Sequence, residues 1–142
     1  MELAELVRFM RQSKLAVQAS VTVEGAPQAA VVGFVVSDQA ELFFDTSSAS
    51  RKCQNLRREP RVALVVGWDE RTVQLEGIAD EPTGEALARL KALYFETFPD
   101  GRERERWPDI VYFRVRPRWA RFSDFTGSQP SVHLLEFPEP ER

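Results

Sequence analysis

The stretch from Thr46 to Val66, TSSASRKCQNLRREPRVALVV, joins two predicted strands through a short helix. Ser50 is a favourable N-cap, and residues 51–58 can form a short helix after it. Pro60 ends this helix, because the residue before a proline disfavours helical backbone. Residues 61–68 are an apolar run of strand length. The pattern predicts a helix between two strands, with hydroxyl and cationic side chains at the start of the helix.

Apolar runs of strand length also occupy most of the chain on either side of this segment. The predicted strands are 15–23, 28–36, 40–46, 61–68, 72–80, a run over 110–125 that Pro117 divides in two, and 131–137. The run over 28–36 is continuously apolar, which is typical of a strand buried on both faces. Helical periodicity is confined to residues near 3–10 and 84–98. The order of elements indicates a mainly β protein, a closed antiparallel barrel with peripheral helices.

Composition narrows the class of protein. The chain has 142 residues, a net charge of −3 and 43% apolar residues, so we expect a single domain over 1–142 and no nucleic-acid partner, which would need a basic face. The lone cysteine, Cys53, cannot form an internal disulfide and fits a reducing cytoplasm. We expect no membrane partner, because no run approaches the roughly 18 apolar residues of a membrane span.

The start of the predicted helix has the chemistry of a phosphate site. A helix N-terminus offers free backbone N–H groups, Arg51 and Lys52 add two cations, and Ser47, Ser48 and Ser50 add hydroxyl donors. The residues alone leave another interpretation open. Ser50 can serve only as a helix cap, with the cations on a solvated face.

Several short motifs in this region and beyond it occur in a recognisable order. They are Thr46, Ser50-Arg51-Lys52, Gln54, Pro60-Arg61-Val62, Trp68, Gly77 with Ala79, and the F-R-V-x-P element over 113–117. In that order and spacing, the chain resembles the FMN-binding split barrels related to pyridoxine/pyridoxamine 5'-phosphate oxidase, over about residues 12–125.

The resemblance implies a six-stranded antiparallel split barrel that pairs into a homodimer, with FMN in clefts to which both subunits contribute. It implies a barrel core over about 12–125 and a tail over 126–142. By the same resemblance, Arg51 and Lys52 bind the FMN phosphate, and we assign Thr46 and Ser50 to the same group. Thr72 lies where the oxidases use a glutamine, and either Thr72 or Gln74 is expected to contact the flavin ring.

The chain also departs from the oxidases. Ala30 and Val35 stand where the oxidases place an arginine and a lysine for the cofactor, and Ser123 replaces a tryptophan. The tail lacks the arginine- and histidine-bearing motif that grips the vitamin B6 substrate. We therefore expect the fold to be shared, and we do not expect a true pyridoxamine 5'-phosphate oxidase.

Three functional interpretations follow from these residues. The first is an FMN-dependent oxidoreductase of unknown substrate. The second is a reductase that uses a deazaflavin coenzyme, and the third is a non-catalytic stress or sensory protein that binds a flavin or haem.

Cys53 is expected to be a packed thiol, and no nucleophile with a neighbouring base is evident. A flavoprotein does not need one, since the cofactor holds the reactive atom.

Overall fold

The computed structural model describes residues 1–139, so that residues 140–142, the end of the predicted tail 126–142, lie outside the described residues. Its helices and strands follow one another as α1 (Leu3–Met10), β1 (Leu15–Val21), β2 (Pro27–Gly33), β3 (Val35–Val36), β4 (Leu42–Ser47), α2 (Arg51–Arg58), β5 (Arg61–Val66), β6 (Arg71–Asp80), α3 (Gly84–Thr97), α4 (Gly101–Arg104), β7 (Ile110–Asp124) and β8 (Ser131–Glu136).

The strands form one antiparallel sheet that curls back on itself. Its order is β2-β1-β5-β6-β7-β4-β3, and β8 pairs with β7 outside that path. The two ends of the path, β2 and β3, are consecutive in the chain and are joined only by Phe34, whose N–H donates to the Lys14 carbonyl oxygen at 3.0 Å. The mainly β, split-barrel fold is therefore confirmed. Six strands of six residues or more make up the path, and β3 adds two residues to its end.

The prediction that Pro117 divides the run over 110–125 was wrong. β7 is one strand of 15 residues, whose first part pairs with β4 and whose second part pairs with β6. Pro117 lies opposite Gly77, at the point where the register of β6 shifts. A proline fits there, because a bulge interrupts the ladder of hydrogen bonds that its missing N–H would otherwise break. A Cβ on Gly77 would collide with the Arg116 carbonyl oxygen.

The prediction of one strand over 28–36, buried on both faces, was also wrong. Phe34 separates β2 from β3, and β2 is the first strand of the path, with β1 as its neighbour. Val32 points into the barrel and is 6% exposed, whereas Val31 points outward and is 60% exposed. An apolar run does not tell a doubly buried strand from an edge strand whose outer face is apolar.

Two apolar clusters hold the fold together. The larger fills the barrel, where Leu6, Val7 and Met10 of α1 pack against the inward side chains of the strands. The smaller lies between α3 and the other face of β4 and β7, and consists of Val35, Phe43, Leu90, Tyr94, Phe95 and Tyr112. The buried apolar residues of α2, Cys53 and Leu56, belong to the barrel cluster and not to the cluster under α3.

Candidate cofactor site

Helix α2 is anchored to the barrel by its apolar side. Cys53 and Leu56 are 0% and 2% exposed and belong to the barrel core. Ser50 caps the helix as predicted, and its Oγ accepts a hydrogen bond from the Cys53 N–H at 3.2 Å. Burial raises the pKa of the Cys53 thiol, so this side chain is the expected packed thiol.

Three of the predicted site residues form a short hydrogen-bonded chain. Lys52 Nζ lies 3.4 Å from Thr46 Oγ1, and Thr46 Oγ1 donates to Ser50 Oγ at 2.9 Å. Thr46 is 8% exposed near the end of β4, and Ser50 precedes α2. The ammonium group of Lys52 is thus held at the junction of β4 and α2 by the hydroxyl oxygen of Thr46.

The loop that carries these residues is fixed from the opposite side. Ser47 Oγ donates to Asp109 Oδ2 at 2.6 Å, and the Ser48 N–H donates to the Asp109 carbonyl oxygen at 2.7 Å. The Ser47 hydroxyl, which we expected to be available to a phosphate, is therefore bonded to a carboxylate. These contacts tie the loop between β4 and α2 to the segment before β7.

The carboxylate of Asp45 ties β4 to the two helices beyond it. It accepts from Arg104 Nε at 2.8 Å and from the Tyr94 hydroxyl at 3.1 Å. Burial, with the nearby Asp45 charge as a second cause, raises the pKa of Tyr94 to about 12. The residue before Thr46 is therefore held by α3 and α4, which fixes the backbone of the site.

A pocket of about 250 Å³ opens at the start of α2. Its lining residues are Arg51 and Lys52 of α2, Gln18 and Ser20 of β1, and Gln28, Ala29 and Ala30 of β2. Gln28 of β2 faces two residues of α2, Arg51 and Asn55. In one orientation of its amide, the oxygen accepts from Asn55 Nδ2 at 2.6 Å, and in the other it accepts from Arg51 Nε at 2.7 Å. In the second orientation, Gln28 would hold the Arg51 side chain at the pocket.

The two cations at this pocket differ from the other cations of α2. Arg57 forms an ion pair with Glu81 at 2.8 Å, and the Arg58 guanidinium donates to the Val21 carbonyl oxygen. Across residues 1–139, neither Arg51 nor Lys52 forms an ion pair with an acidic side chain. The local positive charge at the pocket is therefore not neutralised by the described part of the chain.

Gln18 lines this pocket although it is absent from the predicted set. Its side chain is 1% exposed, and its Oε1 has no hydrogen-bond partner among residues 1–139. The sequence contained a signal for this position. Side chains alternate along a strand, so Gln18 lies on the same inward face of β1 as Ala16 and Ser20. A glutamine at such an inward position is unusual enough to mark a polar site.

Thr72 and Gln74 are not brought to this pocket. They alternate along β6 with the core residues Val73 and Leu75, and so face the outside of the sheet. Gln74 is exposed, and within residues 1–139 neither side chain hydrogen bonds to α2. Their predicted contact with a flavin ring stays a prediction.

The positions that depart from the oxidases have different surroundings. Ala30 lines the pocket, so the side of the pocket formed by β2 has no cationic side chain at this position. Val35 lies outside the pocket, packed in the cluster under α3. Ser123 is buried and pairs with Thr72 across β6 and β7. In the tail, β8 adds a strand to β7, and His133 is exposed beside Ser131.

In the part of the chain that the structure describes, no helix has the length and apolarity needed to cross a membrane. Over the same residues, no three His, Cys, Asp or Glu side chains converge in a way that could hold a metal ion.

The chain is similar to curated proteins and to solved structures. It is 30% identical to the pyridoxine/pyridoxamine 5'-phosphate oxidase of Bordetella pertussis, over 79% of this chain and 55% of that enzyme. The chain thus spans about half the length of this curated relative.

Solved structures share the fold at lower identity. A haem-binding protein from Mycobacterium smegmatis superimposes with a TM-score of 0.80 at 21% identity, over 94% of this chain and 58% of that one. A pyridoxamine 5'-phosphate oxidase-related, FMN-binding protein from Nostoc punctiforme superimposes with a TM-score of 0.70 at 12% identity, over 96% and 87%. The family model described as pyridoxamine 5'-phosphate oxidase matches residues 3–124, which include both the barrel and the start of α2. The curled sheet and this match lead to one conclusion: the chain belongs to the pyridoxamine 5'-phosphate oxidase family.

Proposed function

We propose that this protein binds FMN by its phosphate at the start of α2 and acts as a homodimeric flavin-dependent oxidoreductase. Arg51, Lys52, Thr46 and Ser50 would hold the phosphate. The flavin would supply the redox chemistry by accepting and passing on electrons, while the residues of this chain bind and orient it.

The observation that supports this proposal most strongly is the pair of cations without acidic partners. Arg51 and Lys52 both line the pocket at the N-terminus of α2. Two like charges close together repel each other, and a bound dianion would relieve that repulsion. The first N–H groups of a helix and the hydroxyls of Thr46 and Ser50 add donors suited to phosphate oxygens.

The outer face of the sheet supports the homodimer. A cleft of about 410 Å³ lies along β1, β5 and β6, with Ala19, Val21, Ala63, Gly77 and Ile78 in its lining. Val31 of β2, which is 60% exposed, adds to the apolar surface on the outer face of the sheet. Exposed apolar surface of this kind is typical of protein interfaces. Thr72 and Gln74 lie on the same outer face, where a second subunit would place them against a shared cofactor.

The proposed activity does not extend to the vitamin B6 reaction. Residues 126–142 do not carry the arginine- and histidine-bearing motif that the resemblance associates with that substrate. The proposal therefore covers the cofactor site and names no substrate.

Absorbance spectroscopy and two titrations test the cofactor. We expect protein purified from its own host to show oxidised flavin. We expect FMN to bind at least about 100-fold more tightly than riboflavin, since two or three charged hydrogen bonds contribute about 1.5–3 kcal/mol each. Equal affinities for the two flavins would contradict the phosphate site. A native mass of the monomer alone would contradict the shared cleft.

The alternative with a specific observation in its favour is a deazaflavin-dependent reductase. Ala30 leaves the β2 wall of the pocket without the cation that the oxidases use for FMN, which makes the pocket less committed to that cofactor. A deazaflavin absorption band in place of the flavin spectrum would favour this alternative. A haem Soret band would instead favour the non-catalytic haem-binding interpretation.

A further inference from the structure

We propose that Gln18 is a ligand-contacting residue of this pocket, which hydrogen bonds a hydroxyl group of the polyol chain between the flavin ring and its phosphate. This inference rests on the proposed function, because it assumes that the pocket holds a flavin. It adds a residue from β1 to a site that the sequence motifs place on β4 and α2.

The starting observation is an unpaired amide in a buried position. Gln18 is 1% exposed, and its Oε1 has no donor within residues 1–139. Leaving such a group unpaired costs free energy, and buried polar groups are rarely left so. Gln18 also lines the pocket with Lys52. A ligand in the pocket would supply the missing partner.

The neighbours of Gln18 explain why the chain itself supplies none. In the sheet, Gln18 lies between Ala30 of β2 and Leu64 of β5, which have no polar side-chain atoms. Ser20, the next inward residue of β1, has its hydroxyl engaged by Asn55 Nδ2 at 3.2 Å. Of the two polar inward residues on β1, Gln18 is thus the one left for a ligand.

The chemistry of the free atom selects the part of the ligand. Oε1 accepts hydrogen bonds, and a phosphate dianion has no proton to donate. A hydroxyl group does. Lys52 and the N-terminus of α2 already offer donors to the phosphate, and the polyol hydroxyls adjoin it along the flavin side chain. A hydroxyl group both donates and accepts, so the polyol can satisfy the Gln18 amide in either orientation of its oxygen and nitrogen.

Flavin titration of two variants tests the inference. Gln18→Leu and the similarly shaped Gln18→Met are compared with wild type and with Gln12→Leu, in which an exposed glutamine after α1 is changed. We expect FMN and riboflavin to bind the Gln18 variants about 3- to 10-fold more weakly, by the same factor for both. Without ligand, the thermal midpoint should be unchanged or higher, since an unpaired buried amide has been removed. Gln12→Leu should match wild type in both measurements.

The outcomes separate this inference from the proposed function. A wild-type protein that binds neither flavin refutes the proposed function and the inference together. If wild type binds FMN but both Gln18 variants bind it equally well, only the inference fails. It also fails if the loss is confined to FMN, which would place Gln18 at the phosphate. A lower midpoint for both unliganded variants, or failure of both to fold, would show that Gln18 has a structural partner and would overturn it.

Discussion

Lys52→Ala removes one unneutralised cation from the start of α2 and should separate FMN from riboflavin. In the structure Lys52 Nζ is held by Thr46 Oγ1 at 3.4 Å and has no ion pair within residues 1–139. A hydrogen bond between charged groups contributes about 1.5–3 kcal/mol, so FMN affinity should fall about 10- to 150-fold. Riboflavin lacks the phosphate, so its affinity should change by less than about threefold.

The assay is a fluorescence titration of both flavins at fixed ionic strength, since salt screens the charge. Arg57→Ala is the matched control, because it removes a cation from the same helix that is paired with Glu81 at 2.8 Å. It should leave both affinities close to those of wild type. Free energies of unfolding without ligand should agree for Lys52→Ala and wild type within about 0.5 kcal/mol. Equal losses of FMN and riboflavin, or an equal effect of Arg57→Ala, would refute the phosphate assignment.

Three further predictions concern the fold around the site. Gly77→Ala should lower the free energy of unfolding by about 1–3 kcal/mol in chemical denaturation, because its Cβ would collide with a carbonyl oxygen. Gly127→Ala, where φ is not positive and a Cβ would be 3.6 Å from the nearest backbone oxygen, should lose less, and the reverse order would contradict the tight bulge. Tyr94 and Tyr112, the only two tyrosines, have pKa values raised from 10.0 to about 12, with burial as the main cause. Because only the unfolded chain ionises between these values, stability should fall as pH rises from about 10 to 12. If the phenolate absorbance of the folded protein rose near pH 10, the raised tyrosine pKa values would be contradicted. Cys53, buried and with a raised pKa, should resist alkylation at neutral pH until the protein is unfolded, and rapid labelling of the native protein would show an accessible thiol.

Local patterns were sufficient for the elements nearest the proposed site. The Ser50 cap and the proline after residue 58 predict α2, and the structure has the helix over Arg51–Arg58 with that cap. Such features depend on residues within one or two turns, so they can be recognised without the rest of the fold. The motif order over Thr46–Pro117 likewise identified the barrel family before any strand pairing was known.

Long-range pairing decided the features that the sequence patterns predicted wrongly or left out. β7 continues through Pro117 because Gly77, 40 positions earlier in the chain, provides a bulge opposite it. Val31 is exposed because β2 lies at the end of the sheet order, which its apolar run does not reveal.

The sequence by itself determined the class of fold, the helix cap and the presence of cations beside hydroxyl groups, because these depend on neighbours along the chain. Only the tertiary structure decided which charges and amides have partners. Arg57 is neutralised by Glu81, which is distant in sequence, whereas Arg51 and Lys52 have no acidic partner within residues 1–139. The Oε1 atom of Gln18 has no hydrogen-bond donor within residues 1–139, because folding places Gln18 between Ala30 and Leu64. The free energy of a buried polar group depends on what the fold brings within about 3 Å of it, and residues close in sequence do not decide that.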